Sequence, residues 1–325
     1  MLRYQEWADR ALAGGTLSRE EARACLQTPA ENIGALTDAV FRVREAAWGR
    51  RVKICVLNNV RSGLCPEDCF YCSQSNISTA DISAYPLKTM ASIYRGAEEA
   101  VRGAGARRYC MVASGRGPTD RDIEHLADCI RNIKSDFPDL EICCSLGLMR
   151  ESQARRLKDA GAGWINHNLN TSERFYSSVC TTHTYQDRIE TVQAVKAAGM
   201  HTCSGGIIGM GETERDVLDL AFTIQSLDID SIPVNFLHPI RGTPLGDQPS
   251  TRLEMGLRTL SLFRFLNPRK DIRAAGGREF NFGADSYRVL YAANSIFVEG
   301  YLTTSGQTAE DAHRMIESHG FEIEH

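Results

Sequence analysis

The chain contains 325 residues, of which 42% are hydrophobic and 24% are charged, and its formal net charge is -4 at pH 7. This composition is typical of a globular protein with a large core, and it excludes a disordered or low-complexity scaffold. The slight negative charge gives no basic surface, which argues against binding to nucleic acid or to an anionic membrane.

The N-terminal segment, MLRYQEWADRALAGG, has the apolar pattern of an amphipathic helix. It lacks the basic and then apolar plan of a signal peptide, and no apolar run approaches the ~18 residues that a membrane-spanning helix needs. We therefore predict a cytoplasmic protein that does not enter a membrane. Residues 1–45 are predicted to form a helical extension before the main domain.

Short β-branched or apolar runs alternate with segments of helical periodicity over the rest of the chain. The predicted strands comprise residues 52–57, 108–113, 141–146, 164–168, 201–207, 231–236, 271–275 and 295–298. The predicted helices comprise residues 89–102, 120–136, 152–160, 185–198, 214–227, 251–266, 284–293 and 308–319. This α/β alternation favours a (βα)8 TIM-type barrel over residues 46–325, with its active site at the C-terminal ends of the strands.

Three cysteines lie close together directly after the first predicted strand, in the order Cys65, Cys69 and Cys72. In a reducing compartment such clustered thiols indicate a metal site or catalysis rather than disulfide bonds. Structural zinc normally needs a fourth Cys or His with paired Cys-x2-Cys spacing, and the sequence has no second pair of that spacing. Iron-sulfur clusters commonly have four thiolate ligands, so three predict a cluster with one iron open to another ligand.

This spacing, with the aromatic Tyr71 just before the third cysteine, resembles the radical S-adenosylmethionine superfamily. In that family a 4Fe-4S cluster binds the amino and carboxylate groups of S-adenosylmethionine at its open iron. An electron from the cluster then yields a 5′-deoxyadenosyl radical, which abstracts hydrogen from an unactivated C–H bond. The cofactor supplies this chemistry, and the barrel supplies orientation and exclusion of solvent.

The longer string CPEDCFYCSQS is similar to that of the biotin synthase family, and the resemblance continues over residues 52–304. Its motifs include Tyr109-Cys110, Ile142-Cys143, Asn166 to Asn170, Cys203 to Gly206, Val234-Asn235, Arg273, Gly277 to Glu279 and Ala293 to Phe297. The resemblance implies that dethiobiotin is converted to biotin by replacing two C–H bonds with C–S bonds. The sulfur comes from a second, auxiliary iron-sulfur cluster inside the barrel.

The auxiliary cluster of the family is held by three cysteines and an arginine, which implies Cys110, Cys143, Cys203 and Arg273 here. Each lies on a different predicted strand, so inward-pointing side chains can converge on the barrel axis. A single strand cysteine is more often a small buried hydrophobic residue. Three of them with a core arginine favour ligation. The neighbouring Cys144 must face the opposite way, between strand and helix.

Cys55 on the first strand departs from the family, in which serine is common at this position. Lys53, Cys55 and Leu57 share one face of the strand, and we expect this face to point into the barrel. A fourth thiolate there would change the auxiliary cluster from a 2Fe-2S to a four-iron type and relieve Arg273 of ligation. The alternative is a packed core thiol, and the sequence leaves both open.

The resemblance also implies the other pocket residues. The residues implied to bind S-adenosylmethionine are Tyr71, Asn168, Asn170, Arg188, Gly205 and Ile207. Those implied to bind the ureido ring of dethiobiotin are Asn168 and Asn235. Those implied to line the auxiliary site are Arg108, Ser231 and Ser295. Two of these residues have ordinary alternatives. Asn170 suits a turn, and Arg188 lies in the first turn of a predicted helix, where an arginine is usually solvated. His167 is expected to point outward and His183 to be structural, while Cys25, Cys129 and Cys180 receive no role.

The implied partners are a low-potential flavodoxin or ferredoxin and iron-sulfur assembly proteins, and the family is generally homodimeric. Two competing interpretations remain. One is another radical S-adenosylmethionine barrel enzyme, acting in amino-acid rearrangement or metallocofactor maturation. The other is a non-catalytic iron-sulfur binding protein, which would not cleave S-adenosylmethionine and would leave the pocket residues on the eight strands unexplained.

Overall fold

The computed structural model describes residues 2–324. Its helices are α1 (Leu2–Leu12), α2 (Arg19–Leu26), α3 (Ile33–Trp48), α4 (Met90–Arg102), α5 (Asp120–Asp136), α6 (Glu151–Asp159), α7 (Glu173–Tyr176), α8 (Tyr185–Ala197), α9 (Glu214–Ser226), α10 (Leu253–Leu266), α11 (Arg278–Phe282) and α12 (Ala309–Ser318). Its strands are β1 (Arg51–Arg61), β2 (Arg108–Ala113), β3 (Glu141–Ser145), β4 (Trp164–Asn166), β5 (His201–Cys203), β6 (Gly206–Ile208), β7 (Ser231–Phe236), β8 (Asp271–Ala274), β9 (Ser295–Val298) and β10 (Glu322–Ile323).

The strands form a closed parallel barrel. The hydrogen-bonded order is β1, β2, β3, β4, β5, β7, β8 and β9, and β9 pairs again with β1 to close the ring. The short strand β6 follows β5 along the same side of β7, so the two together occupy one position of the eight. This arrangement confirms the predicted (βα)8 barrel and places the C-terminal ends of all the strands on one face.

The predicted strand over residues 201–207 is interrupted between β5 and β6. A Cβ atom at Gly205 would collide with the backbone carbonyl oxygen of Pro233 on β7. Only glycine therefore permits the chain between β5 and β6 to lie this close to β7. The break lets the backbone N–H of Asn170 donate to the Gly205 carbonyl at 3.0 Å. Backbone proximity of this kind depends on the assembled sheet, and period-2 alternation alone gives no sign of it.

The first strand is longer than predicted because it continues through Asn58 and Asn59, residues that are uncommon in strands. The Asn58 amide is satisfied within the fold, since its Nδ2 donates to the hydroxyl of Tyr109 at 2.5 Å and its Oδ1 accepts from Lys88 at 2.9 Å. Tertiary hydrogen bonds therefore outweigh local propensity here. The segment predicted as a helix over residues 284–293 is a 3₁₀-helix over Gly283–Tyr291, and β10 was not predicted.

The N-terminal segment is helical as expected, and α3 runs three residues past the predicted boundary at residue 45. Helices α1, α2 and α3 pack against α10, so α10 is covered by the extension as well as by the barrel. Trp7 meets Phe265 edge to face, with ring centroids 6.1 Å apart. Over residues 2–324, no helix combines the length and the apolar character that are needed to cross a membrane.

Candidate active site

The cysteine loop follows the C-terminal end of β1. It opens with two residues in the left-handed region, Gly63 at φ 69° and Leu64 at φ 52°, and the backbone N–H of Gly63 donates to Gln74 Oε1 at 3.0 Å. The N–H of Cys72 donates to the carbonyl of Cys69 at 3.0 Å, which closes a turn around the second and third cysteines. Cys65, Cys69 and Cys72 all line the same cavity.

This cavity has a volume of about 380 Å³ and runs from the cysteine loop into the barrel. Besides the loop cysteines its wall includes Asn168, Asn235, Cys110 and Arg273. The three loop cysteines therefore share one space with Cys110 and Arg273, two of the residues predicted to hold the auxiliary cluster. A volume of this size suits a small molecule that is mostly enclosed by protein.

The barrel cysteines are adjacent. Cys110 on β2 and Cys143 on β3 are direct partners in the register, and the Cys143 thiol is hydrogen-bonded to both Cys110 and Cys203. Arg273 Nη1 lies 4.0 Å from the Cys203 sulfur, which also accepts from Asn166 Nδ2 at 3.2 Å. The hydrogen bond to Cys143 lowers the pKa of Cys203 to about 6, with Arg273 acting in the same direction. Converging soft thiols beside a fixed positive charge fit an iron-sulfur cluster.

Cys55 is fully buried and packs with Cys110 and Cys143 in one small cluster. The strand face is therefore the interior one, as the alternation of Lys53, Cys55 and Leu57 indicates. Burial raises the pKa of the Cys55 thiol to about 12, so it is neutral unless a metal binds it. Whether it is a ligand stays a prediction. Cys144 instead lies in the main hydrophobic core, on the other side of β3.

A buried charge network lies next to Arg273 and holds the residues predicted to line the auxiliary site. At its centre Asp271 accepts from Arg108 at 3.0 Å, Arg273 at 3.4 Å, Ser231 at 2.9 Å and Ser295 at 2.8 Å. The sequence analysis missed Asp271. Its position two residues before Arg273 on the same predicted strand was the available signal, because such residues share one face.

Arg188, predicted to bind S-adenosylmethionine, is buried rather than solvated. Its Nη1 donates to the Asn168 carbonyl at 2.8 Å and its Nη2 to His183 Nε2 at 2.8 Å, and its Nε donates to the Tyr176 hydroxyl. The guanidinium therefore sits at the cavity wall in a fixed orientation.

The remaining predicted S-adenosylmethionine residues divide into two groups. Tyr71, Asn170 and Ile207 line the cavity, and Asn170 Nδ2 donates to the Tyr71 hydroxyl at 2.5 Å. Gly205 is instead packed against Pro233, so its lack of a side chain is explained by the sheet. Its contact with a ligand stays a prediction.

The two predicted substrate amides have fixed orientations. Asn168 Oδ1 accepts from the backbone N–H of Gly205 at 3.1 Å, so its Nδ2 is identified as the donor end. Within residues 2–324 this Nδ2 has no hydrogen-bond acceptor. Asn235 Nδ2 donates to the Gly206 carbonyl at 3.2 Å, and its Oδ1 accepts from the Gly276 N–H at 3.0 Å.

The prediction that His167 points outward is wrong. Strand β4 ends at Asn166, so the alternation of faces no longer applies at the next residue. The His167 side chain is buried and contributes to the cavity wall, and its Nε2 has no partner among the described residues. Burial lowers the pKa of His167 well below its usual value and keeps the ring neutral.

Residues on a distant loop meet the cysteine loop, which the sequence analysis did not anticipate. The Cys180 sulfur lies 3.8 Å from the Cys69 sulfur, and His183 Nδ1 lies 2.5 Å from Glu67 Oε2. Asp68 joins the loops by accepting from the Thr181 N–H at 2.9 Å. More than one hundred residues separate the partners, so no local spacing reveals the contact.

Two family profiles match consecutive parts of the chain. The profile described as the radical SAM superfamily matches residues 59–224, and that of the biotin and thiamin synthesis associated domain matches residues 233–322. The cysteine loop and Cys110, Cys143 and Cys203 fall in the first match. Arg273 falls in the second.

Similar proteins agree with these profiles. A biotin synthase of Bacillus subtilis (strain 168) is 48% identical over 324 residues, covering 100% of this chain and 96% of the relative, and one of Geobacillus kaustophilus (strain HTA426) is 48% identical over 317 residues, covering 98% and 95%. Among solved structures, methylornithine synthase (PylB) has a TM-score of 0.85 at 20% identity, and the match covers 98% of this chain and 97% of that chain. The FeFe-hydrogenase maturase HydG from Carboxydothermus hydrogenoformans has a TM-score of 0.80 at 17% identity, and the match covers 99% of this chain and 79% of that chain. These two structures support the fold alone. The relatives and the profiles show that the chain belongs to the biotin synthase family, within the radical S-adenosylmethionine enzymes.

Proposed function

We propose that this chain converts dethiobiotin to biotin and draws the sulfur from an auxiliary iron-sulfur cluster inside the barrel. The observation that carries the proposal is the single cavity that joins the cysteine loop to Cys110 and Arg273. A 4Fe-4S cluster with S-adenosylmethionine supplies radical chemistry able to break an unactivated C–H bond. A substrate in the cavity would have this source on one side and the sulfur donor on the other.

The two clusters are assigned to different residues of the chain. Cys65, Cys69 and Cys72 would hold the 4Fe-4S cluster, where the half-buried Cys65 and Cys72 border the cavity. The ligands assigned to the auxiliary cluster are Cys110, Cys143, Cys203 and Arg273, with Cys55 as an additional candidate. We assign Arg188 to the carboxylate of S-adenosylmethionine, and its fixed orientation at the cavity wall supports this assignment.

Asn168 is the residue that we assign to the ureido carbonyl of dethiobiotin. Its Oδ1 is held by the Gly205 N–H, so the Nδ2 donor that lacks an acceptor in the fold is the end available to a ligand. Asn168 is half-buried at the cavity wall, and a ligand carbonyl could accept a hydrogen bond from this donor. Asn235 borders the same cavity and complements the polar ring.

The segment after β9 contributes to the wall of the cavity. Leu302, Thr303 and Thr304 line it, and the Thr303 hydroxyl hydrogen-bonds to that of Ser73 on the cysteine loop at 2.7 Å. This contact ties the segment to the cysteine loop beside the cavity.

The proposal also includes partners. A low-potential flavodoxin or ferredoxin would donate the electron, and iron-sulfur assembly proteins would restore the sulfur that each turnover consumes. A cytoplasmic location and a homodimer complete the assignment.

Both products are expected when the reconstituted chain is incubated anaerobically with S-adenosylmethionine, dithionite and dethiobiotin, and mass spectrometry detects 5′-deoxyadenosine and biotin. The Cys65→Ala chain is expected to form neither, because it lacks one ligand of the 4Fe-4S cluster. Formation of 5′-deoxyadenosine without biotin by the wild type, with both clusters present, would reject dethiobiotin as the substrate. Absence of both products would reject the enzyme assignment.

The iron content tests whether Cys55 is a ligand. A four-iron auxiliary cluster predicts about eight irons per reconstituted chain, whereas a 2Fe-2S type predicts about six. We expect the higher content in the wild type and a fall of about two irons per chain in Cys55→Ser, because that variant loses the fourth thiolate. Cys144→Ser, which removes a thiol from the main core instead, is expected to keep the wild-type content. A wild-type content near six that Cys55→Ser leaves unchanged would contradict ligation.

A further inference from the structure

Cys69 and Cys180 are neighbouring thiols, and only the first of them has a role in the proposed synthase. Their sulfurs lie 3.8 Å apart, although 111 residues separate them in the sequence. Both thiols are free and buried. Cys69 lines the cavity, whereas Cys180 is only 2% exposed. A small molecule in the cavity therefore reaches the Cys69 sulfur first.

Hydrogen bonds on both sides hold these two thiols face to face. On one side the backbone N–H of Phe70 donates to the Val179 carbonyl at 2.9 Å. On the other side the N–H of Thr181 donates to the Asp68 carboxylate at 2.9 Å. The two segments therefore pass each other in opposite directions, with the two cysteines opposite one another. Opposite residues of an antiparallel pair have Cα atoms about 4.5–5.5 Å apart, which lies within the roughly 4.4–6.8 Å range of disulfide bonds.

We propose that, in the chain that has lost its 4Fe-4S cluster, Cys69 and Cys180 form a reversible disulfide with hydrogen peroxide as the oxidant, which protects Cys69 from irreversible oxidation. The Cys69 sulfur attacks one peroxide oxygen and the O–O bond breaks, which gives a sulfenic acid and one water. The Cys180 sulfur then forms the S–S bond, and the hydroxyl group leaves Cys69 with the thiol proton as a second water. The two thiols lose two electrons and two protons, which reduce one peroxide to two waters.

The protection follows from the chemistry of cysteine oxidation. Without a neighbouring thiol, a sulfenic acid is oxidised further to sulfinic and sulfonic acids, which thiols do not restore. Thiols do restore a disulfide, so this one is transient in a reducing compartment. While it lasts, Cys69 cannot bind iron. This last consequence rests on the proposed cluster ligands, whereas the disulfide itself can form or fail to form independently of the proposed synthase activity.

Peptide mapping of the full-length, cluster-free wild-type chain tests the pair. The reduced chain receives increasing hydrogen peroxide until Cys69 is oxidised, the remaining thiols are alkylated, and tryptic peptides are analysed by mass spectrometry. We expect the peptide over residues 62–88 to be linked to that over residues 175–188, with Cys69 joined to Cys180, and dithiothreitol to separate them. Oxidation of Cys69 with Cys180 still a free thiol would overturn the proposal.

A background chain with Cys65→Ser and Cys72→Ser, which leaves Cys69 as the single thiol of the loop, tests the protection. After excess peroxide and then dithiothreitol, this background should recover most of its Cys69 as thiol. Adding Cys180→Ser should lose most of that thiol to sulfinic acid. Cys129→Ser is the matched control, because Cys129 is another buried thiol but lies beside a histidine, at 3.8 Å, and it should recover like the background. Equal recovery of Cys69 with and without Cys180 would contradict the protection. The wild-type peptide map needs no variant, so it stays decisive if Cys180→Ser misfolds.

Discussion

A chain that carries Cys203→Ala is expected to form 5′-deoxyadenosine from S-adenosylmethionine but to form biotin only at background level. The cysteine loop is untouched by this change, so radical generation is retained. Cys203 is hydrogen-bonded to Cys143 and has the lowered pKa, about 6, that favours binding as a thiolate. In the proposed assignment its loss removes one ligand of the auxiliary cluster, and hence the source of sulfur. Mass spectrometry of both products after anaerobic incubation gives the measurement.

Cys144→Ala is the matched control for Cys203→Ala, because it also removes a buried strand thiol but one that lies in the main hydrophobic core. It is expected to retain both products. Biotin at the wild-type level from Cys203→Ala would show that the barrel cysteines do not deliver sulfur. Loss of 5′-deoxyadenosine in Cys203→Ala, but not in Cys144→Ala, would contradict the separation of the two functions.

Replacing Asp271 with alanine is expected to lower the free energy of unfolding by about 3–5 kcal/mol, the usual effect of removing one partner from a buried ion pair. The change leaves the buried guanidinium groups of Arg108 and Arg273 without their shared carboxylate, which lies 3.0 Å and 3.4 Å from them. Urea unfolding of the cluster-free chains measures the effect. The exposed Asp139→Ala should shift the free energy by no more than about 0.5 kcal/mol. A loss for Asp271→Ala as small as this control's would contradict the account.

The same network predicts a sign for the pH dependence. Burial alone would raise the pKa of Asp271, but Arg108 and Arg273 outweigh it and hold the pKa below its usual value. The stabilisation is therefore present above the unfolded pKa of about 3.9 and is lost as the pH falls toward the folded value. Asp271→Asn should accordingly lose less stability on acidification than the wild type. An unchanged acid dependence would place the titrating group elsewhere.

The barrel was predictable because its signals are local. Helix α5 was predicted with its observed bounds, and each barrel strand was found, since a short apolar run and an amphipathic helix are visible in a single window of sequence. The errors arose where tertiary contacts override that window. Asn58 stays in β1 because Tyr109 and Lys88 satisfy its amide. The predicted strand over residues 201–207 is interrupted at Gly205, where the chain lies directly against the Pro233 carbonyl.

The residues of the candidate site likewise divide into those that local sequence predicts and those that only the folded chain brings together. The loop cysteines are close in sequence, so their spacing alone indicates a cluster. The barrel cysteines needed the resemblance as well, because β2, β3 and β5 bring them together only when the sheet closes. Contacts between distant loops, such as that of Cys180 with Cys69, have no trace in spacing or periodicity. His167 was misplaced because the strand ends one residue before it.

The most direct test of the central claim follows the sulfur itself. The auxiliary cluster is rebuilt with heavy-isotope sulfide, free sulfide is removed, and one turnover is run anaerobically with dethiobiotin and unlabelled S-adenosylmethionine. If Cys110, Cys143 and Cys203 hold the sulfur donor at the cavity, the biotin formed carries the heavy isotope, and its amount does not exceed that of the labelled cluster. Biotin with light sulfur, or 5′-deoxyadenosine with no biotin although both clusters are present, would contradict the account.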